Sequence, residues 1–271
     1  MTMTRRAAIP VLLLLLCLGS CAEVPLTGRK QLAILSVGQM SAMSAEEYNK
    51  FLNENETVTG TAEAEMVKRV GRRIQAAVER YFEERGQSHY LQDFDWRFEL
   101  VKSDTVNAWC MPGGRVVIYT GMLPVAQDET GLAVVMGHEI SHAVARHGRE
   151  RMSQNLIVVA GTSVLNEALS EKPEETRTLF LAAAGLGAQL GYLLPFSRTH
   201  EREADRLGLI FMAMAGYDPR AAPAFWQRME DKAGGGEPPE FLSTHPSTQS
   251  RINDLKRLAE TEAMNFYRPP E

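Results

Sequence analysis

The chain has 271 residues, 44% of them apolar, and a formal net charge of −5 from 29 Lys and Arg against 34 Asp and Glu. That length suits one sizeable core. A small negative excess argues against nucleic acid as a partner, and three cysteines are too few for a disulfide framework.

Residues 1–20 read as a lipoprotein signal peptide. Arg5 and Arg6 supply the positive start, Ala7 to Leu18 the apolar run, and Leu18-Gly19-Ser20-Cys21 resembles a lipobox, with Cys21 as the lipidated residue. The run is too short to span a bilayer as a retained helix. Several acyl chains would give durable attachment. Ala22 follows the cysteine where an aspartate would favour inner-membrane retention, which points to the periplasmic face of the outer membrane. Cleavage removes Cys17 and leaves Cys110 without a thiol to pair with, so the domain rests on its core.

Residues 21–43 read as a tether and 44–271 as the folded domain. Ser44-Ala45-Glu46-Glu47 is a capping box that predicts a helix through about Asn55. From Ala62 to about Arg85, Val67, Val70, Ile74, Val78 and Tyr81 step at three and four, an amphipathic helix. Phe94–Lys102 and Val106–Thr120 read as strands, the second bent at Met111-Pro112-Gly113-Gly114.

Asp128-Glu129 marks a helix N-terminus, followed by the apolar Leu132–Gly137 and then His138-Glu139-Ile140-Ser141-His142. Imidazoles four residues apart lie about 40° from each other round a helix, so both reach one ion. The carboxylate between them projects beside the metal, as a base for metal-bound water. Catalytic zinc takes a third protein ligand. His147 lies about 140° round from His142 and faces elsewhere. In Ser197–Asp205, Glu201 and Asp205 share a helix face. One carboxylate can bind metal while the other accepts the spare N–H of a ligand histidine. Glu203 is about 200° from Glu201 and is expected to face solvent.

Asn155–Leu165 and Leu179–Phe196, separated by the charged Lys172–Arg177, are the most apolar later segments. The expectation is a pair of buried helices, with a membrane-dipping pair as the alternative. Asp218-Pro219 opens a helix through Asp231. Gly234-Gly235-Gly236 with Pro238-Pro239 makes a loop, and a last helix begins near Pro246.

HExxH followed by Glu-x-x-x-Asp is the gluzincin pattern. The flanking words Thr27–Leu32, Asn107-Ala108-Trp109, Met111–Gly114, Ser243–Pro246 and Arg251-Ile252 resemble the HtpX and CAAX-prenyl-protease-like metallopeptidases. The likeness is strongest to periplasmic lipoprotein members of the BepA and LoiP kind. The resemblance implies an α+β, mostly helical zincin-like domain with a small antiparallel sheet and the HExxH active-site helix. It implies one Zn2+ held by His138, His142 and Glu201, with Glu139 as general base and Asp205 as the partner of His138. It further implies an edge strand whose Asn107, Ala108 and Trp109 dock an extended peptide. A histidine in the position of His245 can lie close to zinc. There it would either stabilise the oxyanion or fill the fourth position and hold the enzyme latent. His245→Ala separates the two, through lost turnover or gained proteolysis. The implied activity is periplasmic metalloendopeptidase action on misfolded or misassembled envelope proteins. The alternative is a chaperone-like or scaffolding lipoprotein that binds outer-membrane proteins without cleaving them.

Overall fold

The computed structural model describes residues 21–24, 27–188, 193–234 and 238–269. The leader 1–20, Gln189 and residues 235–237 of the Gly234–Pro239 loop lie outside the described residues. Two compact units divide the chain: residues 1–40 with 146–200, and residues 41–145 with 201–271.

The first unit opens with an antiparallel hairpin, β1 (Cys21–Glu23) and β2 (Lys30–Leu32). It continues with α5 (His147–Ala168), α6 (Glu174–Ala188) and the first turns of α7 (Leu194–Met214). The expected pair of apolar helices is present, with its break at the charged stretch. Burial is not. Val159 is 61% exposed, Leu179 68% and Leu186 59%. Hydropathy records residue type, whereas burial needs a neighbour on each side, and most of the outer surface of this pair has none. Among the described residues, no helix is long and apolar enough to cross a membrane.

Helix α1 (Val37–Glu54) begins before the predicted Ser44. Ser36 Oγ accepts from the Gln39 N–H while Gln39 Oε1 accepts from the Ser36 N–H, a reciprocal cap one motif upstream. Ser44 instead donates to the Pro112 carbonyl from the helix interior. The second unit then runs β3 (Thr57–Val58), α2 (Ala62–Glu83), β4 (Arg97–Val101), β5 (Ala108–Met111) and β6 (Arg115–Tyr119). Thr61 caps α2, whose Val67, Val70, Ile74, Val78 and Tyr81 are all buried, as their spacing predicts.

The sheet order is β3-β4-β6-β5. β3/β4 and β5/β6 pair antiparallel and β4/β6 parallel, so β5 is an edge strand. Its hairpin turns at Gly113 and Gly114, which take φ of 92° and 82°, a region glycine enters without strain. After the short α3 (Leu123–Ala126), α4 (Glu129–Val144) packs against α2 and β5. The unit ends with α8 (Ala222–Ala233), α9 (Glu240–Thr244) and α10 (Gln249–Thr261), α10 packing on α8. The last helix starts at Gln249 rather than near Pro246, because Thr248 Oγ1 accepts from the Arg251 N–H and fixes the entry.

Candidate metal centre

Asp128 fixes where α4 begins, its carboxylate accepting from the Gly131 N–H. Every residue from Gly131 to Val144 is buried, which requires close neighbours all round. One is α7. A Cβ on Gly137 would stand 2.9 Å from the Gly208 carbonyl oxygen, and one on Gly208 would stand 2.9 Å from the His138 nitrogen. The two helices therefore cross backbone to backbone at this pair, one turn or two from the side chains that face each other.

Four buried side chains converge there: His138, His142, Glu201 and His245. His138 Nε2 is 3.1 Å from His142 Nε2, 3.2 Å from His245 Nδ1 and 3.3 Å from a Glu201 oxygen. The other Glu201 oxygen is 3.3 Å from His142 Nε2 and 3.1 Å from His245 Nδ1. A tetrahedral ion with arms of about 2.0–2.1 Å to nitrogen and oxygen has ligand-to-ligand edges of about 3.3 Å. The donor set, two HExxH imidazoles with a carboxylate and a third imidazole, thus fits zinc in both chemistry and spacing. Glu139 is buried beside it. Its Oε1 lies 3.4 Å from His245 Nε2 and, at that alignment, has no hydrogen-bond partner.

The electrostatics follow from burial against charge. Burial alone would depress His138, but Asp205 and Glu201 outweigh it and raise its pKa to about 9. His142 is lowered to about 3, because its burial exceeds the help it receives from Glu201. Burial pushes Glu201 up, yet the three imidazoles hold its carboxylate far below the usual range. Asp205, also buried, is held ionised by Arg251. His138 Nδ1 sits 3.1 Å from Asp205 Oδ1, so a ring proton belongs there and Nε2 is the nitrogen turned to the cluster.

Against this geometry, a family model for peptidase family M48 matches residues 68–259. The chain belongs to peptidase family M48. Mitochondrial metalloendopeptidase OMA1 of Schizosaccharomyces pombe is 38% identical over 176 residues, 61% of this chain and 47% of that protein. The Bos taurus mitochondrial metalloendopeptidase OMA1 is 35% identical over 243 residues, 86% of this chain and 45% of its own. The beta-barrel assembly-enhancing protease of Escherichia coli (strain K12) is 31% identical over 167 residues, 60% of this chain and 34% of its own. The chain thus spans less than half the length of these three relatives.

Within this M48 chain, the predicted substrate segment lies on the edge strand. The Tyr119 N–H donates to the Asn107 carbonyl, and the register pairs Ala108 with Ile118 and Cys110 with Val116. Bonded and non-bonded pairs alternate in an antiparallel ladder. The backbone groups of Ala108 and Cys110 consequently face away from β6, toward the open edge. Asn107 Oδ1 accepts from the Ala108 N–H, and its amide donates to Glu240. The Trp109 ring packs edge-on against Phe51 and Tyr48, inside the fold.

One expectation fails around the second motif, and another holds for a different reason. Glu203 is buried rather than solvent-facing, since α7 is enclosed on nearly every side from Glu201 onward. His147 stays out of the ligand group as expected, but not through its angle round α4, which ends at Val144 and is followed by Arg146 in the left-handed region. His147 instead stacks on His200, ring centroids 4.3 Å apart, in the first unit. What the sequence reading missed is Arg251. It had a place in a C-terminal word but no role, and the signal available was a charged residue among the apolar positions of α10. Its guanidinium forks Asp205, contacts Glu201 at 3.1 Å and lies 4.0 Å over the Trp226 ring.

Proposed function

We propose that the chain is a zinc-dependent metalloendopeptidase of the bacterial envelope, held to a membrane by lipid on Cys21, and that it cleaves misfolded or misassembled envelope proteins. One observation carries the reading: three imidazoles and a carboxylate meet at tetrahedral spacing beside the buried Glu139, whose Oε1 has no hydrogen-bond partner, in a chain of peptidase family M48.

His138, His142 and Glu201 would hold the ion, with Asp205 fixing the tautomer of His138. Zinc, when bound, polarises the scissile carbonyl and brings the pKa of water towards ~7. Glu139 holds the proton released in attack and returns it to the leaving amine. The outward carbonyl of Ala108 and the outward N–H and carbonyl of Cys110, in the strand that follows Asn107 and carries Trp109, pair with the extended substrate backbone. His245 takes the fourth position and holds the site latent. Its Nδ1 stands at ligand spacing to His138 and Glu201, and Phe241 stacks on the ring at 4.7 Å.

The lipobox at Cys21 and Ala22 after it support the periplasm and, of the two membranes, the outer one. The beta-barrel assembly-enhancing proteases among the relatives support envelope proteins as clients. Glu139→Gln tests the reading: zinc content should stay at one per chain while peptide cleavage disappears. Normal turnover in that variant removes the base assignment. Full rescue of a deletion strain by it would favour a binding role over proteolysis.

A further inference from the structure

Isolated apolar side chains on a surface are ordinary, whereas a run of them on one hairpin marks an interaction site. On α5 and α6, Leu156, Val159, Val164, Leu179, Phe180 and Leu186 are each more than 40% exposed. Val159 and Val164 lie about 140° apart round their helix, and Leu179 and Phe180 about 100°. The exposed apolar surface is therefore a broad arc. A seam with a second copy would use a narrow stripe in fixed register. A fluid hydrocarbon phase covers a broad arc without register.

The chain's membrane attachment leads to the same place. The apolar run before Cys21 ends at β1, and the segment that follows is fastened to the first turns of α5. The Ile34 N–H donates to Ser153 Oγ at 3.0 Å, and Arg149 donates to the carbonyls of Leu35 and Ala33 at 2.5 and 3.3 Å. Arg29 forks Glu150 at 3.0 and 2.8 Å. All of these residues belong to the first unit, as does the exposed arc. An attachment at Cys21 would therefore bring the bilayer to the foot of α5. Among the described residues neither helix is long and apolar enough to cross a membrane, and Glu167, Glu171, Lys172, Glu174, Glu175 and Arg177 crowd the turn between them.

We propose that the α5–α6 hairpin lies in the membrane–water interface, with its apolar arc against the acyl chains and its charged turn among headgroups and water. The inference rests on the attachment at Cys21 proposed above and is independent of the zinc reading.

The test places the full chain on vesicles of phosphatidylethanolamine and phosphatidylglycerol that contain a phospholipid with a photoactivatable acyl tail. Labelled peptides are then mapped by mass spectrometry. Acyl-chain label should appear within 152–164 and 179–186. It should fall to the level of ordinary surface peptides in a Val159→Glu, Leu179→Glu variant, whose fold is preserved because both side chains are exposed. Unchanged zinc content verifies that preservation. Glu139→Gln should label like the unaltered chain. Vesicle-bound protein labelled only before residue 25 overturns the proposal and leaves attachment standing. Chemical crosslinks from hairpin to hairpin with no lipid label overturn it in favour of a second copy. Protein that stays free of the vesicles overturns attachment and hairpin together.

Discussion

Arg251 grips both oxygens of Asp205, Nε to Oδ2 at 2.7 Å and Nη2 to Oδ1 at 2.8 Å, while the same Oδ1 stands 3.1 Å from His138 Nδ1. All three groups are buried. A carboxylate taken out of water this completely needs a partner as fully committed as a planar guanidinium. Arg251 thereby keeps Asp205 charged, and Asp205 keeps His138 Nε2 turned toward Glu201 and His142.

Arg251→Leu should leave Asp205 as a buried, poorly paired charge and cost about 3–5 kcal/mol, read from denaturant melts. Arg251→Lys retains the charge but cannot span Asp205 and Glu201 together. It should lower zinc affinity about 10–100-fold in a chelator competition, with a smaller loss of stability. Unchanged zinc affinity in the Lys variant would show that the fork does not support the ligands.

The crossing at Gly137 and Gly208 makes a second prediction with a built-in contrast. Gly137→Ala puts a methyl against a backbone carbonyl that has no room to yield, so α4 and α7 must part and take Glu201 away from His138 and His142. Overpacking of this kind costs about 1–3 kcal/mol, and zinc affinity should fall with it. Gly161 on α5 has open space where its Cβ would stand. There the same substitution should be neutral, or stabilising by up to about 1 kcal/mol through helix propensity. Thermal melts of the two variants should move in opposite directions, or at least differ sharply.

How much of this was legible depended on range. The α2 periodicity, the Asp128 start of α4 and the hairpin glycines are local signals, and each appears where expected. Ser36-Gln39 and Ser44-Glu47 are both capping boxes by spacing, and only the tertiary bond from Ser44 to Pro112 distinguishes them. The parallel β4–β6 pairing has no local signature, because it depends on which strand arrives beside which. His245 and Arg251 lie 107 and 113 residues from His138. Nothing in their own surroundings states that nearness in space: only the family resemblance put His245 close to zinc, and the role of Arg251 emerges only when the helices are assembled. The α5–α6 hairpin misled for another reason. Apolar composition predicts that a surface seeks cover, but not that the protein itself supplies it.

The open edge of β5 can be tested without touching the ladder behind it. Cys110 belongs to a non-hydrogen-bonded pair with Val116, so its N–H points away from β6. Proline is tolerated on an edge strand where the lost N–H was not in the ladder. Cys110→Pro should therefore keep the fold and the zinc while removing one docking hydrogen bond, raising KM for a peptide substrate about tenfold. Wild-type KM in a folded, zinc-loaded Cys110→Pro protein would move the substrate strand elsewhere.

Glu150 supplies the acid sensitivity of the first unit. Its side chain is 1% exposed, is forked by Arg29 and lies 2.8 Å from His200 Nε2. Burial would raise its pKa, but His200 and Arg29 outweigh that and hold it below the ordinary 4.5. A carboxylate with a depressed folded-state pKa binds fewer protons than it does in the unfolded chain. Its contribution is therefore complete above about pH 4.5 and drains away as pH falls through the folded value. Glu150→Gln keeps the shape and removes the charge. At pH 7 it should cost about 1.5–3 kcal/mol, the worth of hydrogen bonds to a charged group. The two proteins should then converge in stability as pH drops below 4.5, because protonation does to the wild type what the substitution has already done. Unfolding free energies measured from pH 7 to pH 3 decide the matter: curves that stay parallel over the whole range would mean that the Arg29–Glu150–His200 cluster stores no pH-dependent stability.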